Sequence, residues 1–511
     1  MARWGILLGM VLLLCQGATA LGVASTRTPS IQAPPGLEST QTPSVPPTQS
    51  VVADQTPSAS PVGEPVTVTV SPGQPGYPIP ADFLGLSYEA PVLVQDDFDV
   101  SNTALVHLLT ALGPGNLRFG GNSVERTYWD SFGRATPSPK TPTVQPADLD
   151  RLFAFTHQVD WSIILGVNLG DYSPQMAAAE AAYAWKNDKG QIAAIEIGNE
   201  PNVFPTNGLR PESWGVDDLL REFAAYVTAI HAAVPGAPIA GPATVDSLDW
   251  FTRFLAADSS ALTLATHHIY PLTAAATVPP TSSRYATIPQ LLSAATAARV
   301  DTEIKALSGV AAEYHVPLRM AETNSASDGG KDGVSNTFAS ALWGSDYLFV
   351  LAQHGVVGAN FHGGFACTGY TPICLTADLQ FHAQPLYYGM LFFHLAAEDG
   401  RLVPVMIQTS ANVTAYAVAG ADGSLRVALI NKTADQDVTV QVNAGQTYGL
   451  ASILRLAAPS LDAQNGVTLG GNAVAADGTW APAATETVSP LGSGYSVALP
   501  AASAALLVLH Q

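Results

Sequence analysis

Between about residues 80 and 395, short apolar runs alternate with longer Ala/Leu-rich stretches. The runs fall at 83–88, 116–119, 162–167, 194–198, 238–241, 264–268, 318–321 and 356–361. Helical stretches lie between them, as at 212–234 and 336–354. Strands covered on both faces by crossover helices read as continuous apolar runs rather than alternating ones. Eight such βα units predict a (β/α)8 barrel, placed here at 79–398. A doubly wound open sheet is the alternative, but no Gly-x-Gly-x-x-Gly turn follows an early strand.

After about residue 400 the pattern changes. Runs at 403–409, 413–418, 425–431, 438–442, 451–456 and 495–499 are separated by Gly, Asn and Asp turns. They predict an antiparallel β-sandwich over 399–511. The alternation Val66-Thr67-Val68-Thr69-Val70 predicts one more strand, with 65–78 joining that domain. Upstream, 21 of the 44 residues at 21–64 are Pro, Ser or Thr. Such a segment has little apolar surface to bury and reads as a linker. Residues 1–20 combine Arg3, a short apolar run and Ala18-Thr19-Ala20, the pattern of an export signal. The expectation is a secreted or periplasmic protein without a membrane span, because no later segment has 18 uninterrupted apolar residues.

Composition narrows the partners. Of 511 residues, 47% are hydrophobic, enough for a large core, and the net charge is −20. That field disfavours nucleic acid and anionic membranes. Long polyanions are disfavoured too, since no Lys/Arg cluster builds a basic cleft. Beyond the signal only Cys367 and Cys374 remain, seven positions apart. This count and spacing exclude a CxxC-type metal site and allow a disulfide in an oxidising compartment.

In a barrel the functional side chains sit at the C-terminal ends of the strands. There the sequence places Ser87-Tyr88-Glu89, Arg118-Phe119-Gly120-Gly121-Asn122, Asn199-Glu200-Pro201, His267-His268-Ile269-Tyr270, Glu322-Thr323-Asn324-Ser325 and Asn360-Phe361-His362. Glu200 ends the fourth strand and Glu322 the seventh, across the mouth from each other. Two carboxyls with pKa values pushed apart supply the acid and the nucleophile of glycoside cleavage. Asn199 is placed to bond a sugar hydroxyl and Tyr270 to hold Glu322 ionised. Glu89, Asn122, His267, Ser327, Phe361 and His362 complete the candidate sugar-binding set. Glu196, four residues before Glu200, reads as a structural partner of Arg118. Trp343 and Tyr347 read as core. His267 and His268 lack the spacing of a metal pair, and neither metal nor cofactor is expected.

These motifs resemble clan A glycoside hydrolases, and within that clan family 79, the heparanase and β-glucuronidase family. Asn199-Glu200-Pro201 is similar to the clan's acid/base motif. Arg118-Phe119-Gly120-Gly121, His267-His268-x-Tyr270 and Glu322-Thr323-x-Ser325 resemble the family's own. The resemblance spans about 65–511. It implies a retaining exo-β-glycosidase with Glu200 as acid/base and Glu322 as nucleophile, acting on a small β-glycoside or oligosaccharide. It also implies a Tyr five residues after the nucleophile and a Gly-x-Tyr after the eighth strand, both reading the carboxylate of glucuronic acid. Here those positions are Ser327 and Ala359-Asn360-Phe361, which leaves Ser327, Lys331 and His362 as substitutes. A neutral β-linked sugar (glucoside, galactoside or xyloside) is therefore a second expectation, and a non-catalytic sugar-binding barrel a third.

Overall fold

The computed structural model describes residues 66–134, 138, 141–483, 485–492 and 494–510. The expected signal at 1–20 and linker at 21–64 lie outside them. Eight parallel strands close a barrel in sequence order: Leu84–Glu89, Gly115–Gly120, Trp161–Val167, Ile192–Ile197, Ile239–Val245, Leu264–Ile269, Leu318–Thr323 and Gly358–Gly363. The continuous apolar runs follow from this arrangement, since each strand is covered by helices outside and by packed side chains within. The helices expected at 212–234 and 336–354 are Val216–Ala233 and Phe338–Gln353. The latter is buried nearly all round, between the barrel and the C-terminal domain. No helix of the described residues is long and apolar enough to cross a membrane.

The C-terminal domain stacks two sheets. The larger runs Gly400–Val403, Val413–Gly420, Leu425–Asn431, Ser503–Leu509, Ala451–Ala457 and Thr468–Leu469, with Glu486–Val488 beside Ala451–Ala457. The smaller runs Val405–Gln408, Val66–Val70, Val438–Asn443 and Gly494–Leu499. Three features depart from the sequence expectation. The single strand expected at 403–409 breaks at Pro404, whose missing N–H cannot continue a ladder, and its halves enter different sheets. Ser503–Leu509, absent from the expected strands, is a central strand. Finally, the sandwich is not wholly antiparallel, because Val66–Val70 pairs parallel with Val438–Asn443.

The larger sheet is buried on both faces. Tyr416, Ile430 and Leu506 pack on the barrel core, whereas Val427, Leu429 and Leu507 face the smaller sheet. A buried ion pair crosses from barrel to sheet: Lys432 Nζ lies 2.6 Å from Asp346 Oδ2. Asp346 Oδ1 also accepts from Thr414 and Tyr416.

Candidate active site

The strand ends open into a cleft of about 600 Å³ whose lining includes Glu89, Glu200, Tyr270, Glu322, His362 and Tyr370. The fourth strand stops at Ile197, and Gly198-Asn199-Glu200 turns the chain sharply. Gly198 has φ +76° and Glu200 φ +50°. For a glutamate this left-handed conformation is strained and is kept only where the surroundings fix it. The backbone N–H of Glu200 donates to Ala243 O at 2.8 Å, from the neighbouring strand end.

Beneath the cleft lies a polar network centred on Arg118, which is fully buried. Its guanidinium donates to Glu196 at 2.6 Å, Glu322 at 2.7 Å, Asn199 at 2.8 Å and Ser87 at 3.2 Å. Burial alone would depress its pKa, but the Glu196 and Glu322 charges override that and hold it cationic. The Arg118–Glu196 pairing read from the sequence is therefore present. Each charge of this network has a partner, as buried ions require.

Glu322 occupies the centre. One carboxylate oxygen takes Arg118, and the other accepts from Tyr270 Oη at 2.8 Å. His362 Nδ1 stands 3.7 Å away. Burial pushes this carboxyl up. The charges of His362, His268 and Arg118, with the Tyr270 hydrogen bond, outweigh it and hold the group well below the usual carboxylate range. His362 lies between two acids, with Glu89 at 3.6 Å on its other side. Burial lowers its pKa, but the Glu322 charge and the Glu89 contact prevail and raise it above the ordinary value.

Glu200 faces Glu322. Its Oε1 pairs with His268 Nδ1 at 3.0 Å. One oxygen of each glutamate and one His268 nitrogen lie within 4.8 Å of one another. These three atoms are close enough to share a cation, but Arg118 and His362 already supply positive charge beside Glu322 and oppose a second cation. The approach of the two carboxyls to within 4.8 Å at their nearest oxygens is compatible with the short class of about 5–5.5 Å that accompanies a glycosyl-enzyme.

Among the other predicted site residues, Asn199 bonds Arg118 and sits beside Asn122, with 3.5 Å between their side-chain atoms. Asn122 and Ser327 line the cleft, and Ser327 Oγ donates to Asp328. Glu89 accepts from the backbone N–H and the hydroxyl of Ser123. Three predicted residues do not line the cleft, and Asn199, buried against Arg118, is one of them. His267 points away from the lumen, where it bonds Thr244 and meets the Phe251 ring of a surrounding helix. Burial and the neighbouring His268 lower its pKa to about 3. Phe361 is likewise outward, packed on Trp343 and Tyr347 in the core. Side chains alternate along a strand, so the histidine that reaches the site is His268, and the inward residues of the eighth strand are Asn360 and His362. Lys331 is occupied elsewhere, with its Nζ donating to Ala286 O at 2.9 Å.

Tyr370 was not anticipated. It lines the cleft, its ring 6.3 Å from that of Tyr270 and 6.1 Å from that of His362. It lies in the loop between Cys367 and Cys374, whose sulfurs are bonded. The flanking cysteines were the available signal, because they tie that loop against the strand ends.

Residues 415–506 match the model of the glycosyl hydrolase family 79 C-terminal beta domain. A β-glucuronidase of Aspergillus niger is 25% identical over 402 residues, covering 70% of this chain and 73% of that protein. Among solved structures, a 4-O-α-L-rhamnosyl-β-D-glucuronidase of Fusarium oxysporum superposes with a TM-score of 0.72 at 20% identity, over 87% of this chain and all of that one. A family 51 arabinofuranosidase of Xanthomonas axonopodis pv. citri follows at 0.67 and 19%, with the same coverage. At such identities the structural likenesses carry the fold alone.

Proposed function

We propose that this chain, whose residues 415–506 match the family 79 C-terminal beta domain and which is similar to a β-glucuronidase, is a retaining exo-β-glycosidase of that family acting on terminal β-D-glucuronides. The observation that carries the mechanism is the short gap between Glu200 and a Glu322 held ionised. Glu322 attacks the anomeric carbon while Glu200 gives its proton to the departing glycosidic oxygen, leaving a glycosyl-enzyme ester. Glu200, now a carboxylate, takes a proton from water as that water attacks the same carbon. Glu322 leaves as carboxylate, and both groups return to their starting states. Arg118, Tyr270 and His362 keep the nucleophile charged between turnovers, and Asn199 is fixed by Arg118 to meet a sugar hydroxyl.

The choice of glucuronide is supported by the A. niger relative and by two cleft groups able to meet a carboxylate, the Tyr370 phenol and the His362 imidazolium. A neutral sugar is the second reading. It is favoured by Ser327 and by Asp328, a carboxylate on the same wall. The test is initial rates on p-nitrophenyl β-D-glucuronide and β-D-glucoside between pH 4 and 7, with the first-formed anomer followed by NMR. Preference for the glucuronide and a β-product support the proposal. Preference for the glucoside moves the specificity to the second reading, and an α-product overturns retention. Export is part of the proposal, on the pattern of residues 1–20. An expressed full-length chain retaining Arg3 at its mature N-terminus would overturn it.

A further inference from the structure

We infer that Glu125 is a positioning residue for Glu200, its buried side chain fixing the backbone turn that presents the acid/base. The inference rests on the acid/base reading above. Glu125 lies in the short 3-10 turn Asn122–Arg126 after the second strand and is 1% exposed. Its Oε1 accepts the backbone N–H of Asn199 at 2.6 Å. Its Oε2 accepts the N–H groups of Leu169 at 2.8 Å and of Gly170, after the third strand. One carboxylate thus ties three strand ends together.

Three successive N–H groups of the acid/base turn each have an acceptor. Gly198 donates to Val167 O at 3.0 Å and Glu200 to Ala243 O at 2.8 Å. Only the middle one, Asn199, relies on a side chain. The peptides on the Leu169 side are gripped from both directions, since Arg210 donates to the carbonyls of Leu169 at 2.9 Å and Gly170 at 2.7 Å. The packing leaves no slack. A Cβ on Gly170 would stand 2.7 Å from the Glu125 Cβ, and one on Gly198 would stand 2.8 Å from Leu169. The strained φ of Glu200 therefore persists because its flanking peptide is anchored. Released from Glu125, the turn would relax and carry the Glu200 carboxyl away from the leaving oxygen.

The test uses Glu125→Gln and Glu125→Asp in the full chain, with Glu200→Gln as the scale. Each is assayed on aryl β-glycosides of the preferred sugar, with leaving groups from 2,4-dinitrophenol to phenol. A dinitrophenolate departs without a proton, whereas a phenolate needs one. Glu125→Gln is expected to lose about 10–100-fold in kcat/KM on the phenyl glycoside, the range for a displaced catalytic group. In kcat/KM, which reports the first step alone, it should change less than about threefold on the dinitrophenyl glycoside. Glu125→Asp keeps both acceptor oxygens but withdraws them, and should fall between wild type and Gln. A merely structural role would lower every substrate alike, so equal losses, or none, overturn the inference. If Glu200→Gln itself shows no leaving-group dependence, the acid/base assignment fails and this inference with it. If only the Glu125 variants lack that dependence, the positioning role alone fails.

Discussion

Replacing Tyr270 by Phe removes one hydroxyl and leaves the ring in place. That hydroxyl is the hydrogen-bond donor to Glu322 Oε1, at 2.8 Å. Arg118 and His362 remain on the other oxygen, at 2.7 and 3.7 Å. A hydrogen bond to a buried charged group contributes about 1.5–3 kcal/mol. Losing it disfavours the ionised form and therefore raises the Glu322 pKa. The sign is fixed by the starting point. Glu322 is depressed, so its ionised form, and the stability tied to it, is present above the unfolded carboxylate value and lost as pH falls through the folded one. Tyr270→Phe narrows this window from the acid side. The expected result is an acid limb of kcat/KM displaced upward and a loss of about 10–100-fold near the optimum. Initial rates on the preferred p-nitrophenyl glycoside across pH 3–8 measure both. An unmoved acid limb with less than threefold loss would refute the claim that Tyr270 holds the nucleophile ionised.

Glu322→Gln is expected to reduce turnover by more than about a thousandfold with an unchanged circular dichroism spectrum, since an amide cannot form the glycosyl ester; ordinary rates would exclude Glu322 as nucleophile. His362 has a raised pKa, so its stabilising charge is complete below the unfolded value of about 6.5 and disappears as pH rises through the folded one. Melting temperature should therefore decline on the alkaline side in the wild type and decline less in His362→Gln; parallel curves would exclude the imidazolium. Lys432→Met strands the Asp346 carboxylate and should cost about 3–5 kcal/mol in denaturant unfolding. Adding Asp346→Leu should recover much of that loss, and simple additivity of the two would contradict a coupled pair. Ser327→Tyr adds a phenol to the cleft wall and should shift the glucuronide-to-glucoside rate ratio upward at least severalfold; a fall in the ratio would place that wall away from the sugar carboxylate.

The barrel was legible because burial on both sides writes each strand as an apolar run. Asn199-Glu200-Pro201 stood out because a charge directly after such a run has to lie at the mouth. What escaped depended on which way a side chain faces. His267 and His268 are adjacent, and only the pleat decides that the second enters the site. Phe361 matched a family position by count but fell on the outward parity. Glu125 had no local signal at all, since its partners are backbone N–H groups about 45 and 75 residues away in sequence. Ser503–Leu509 was missed for another reason. Ala and Leu dominate it, and both favour helices, so only burial between barrel and sheet makes it a strand.

The first strand carries a consequence for synthesis. Val66–Val70 is made early, yet its parallel neighbour Val438–Asn443 emerges roughly 370 residues later, as the pairing of Val66 with Val440 requires. At about 5–20 residues per second, a ribosome needs some 20–75 s to supply that partner. Until Val405–Gln408 emerges to pair on one side, a run of alternating valine and threonine has both edges open, the kind of template on which nascent chains pair with one another. The domain that closes the molecule is thus begun first and finished last. A permuted chain that moved this strand behind Ser503–Leu509 would shorten the wait and should yield more soluble protein from the same message.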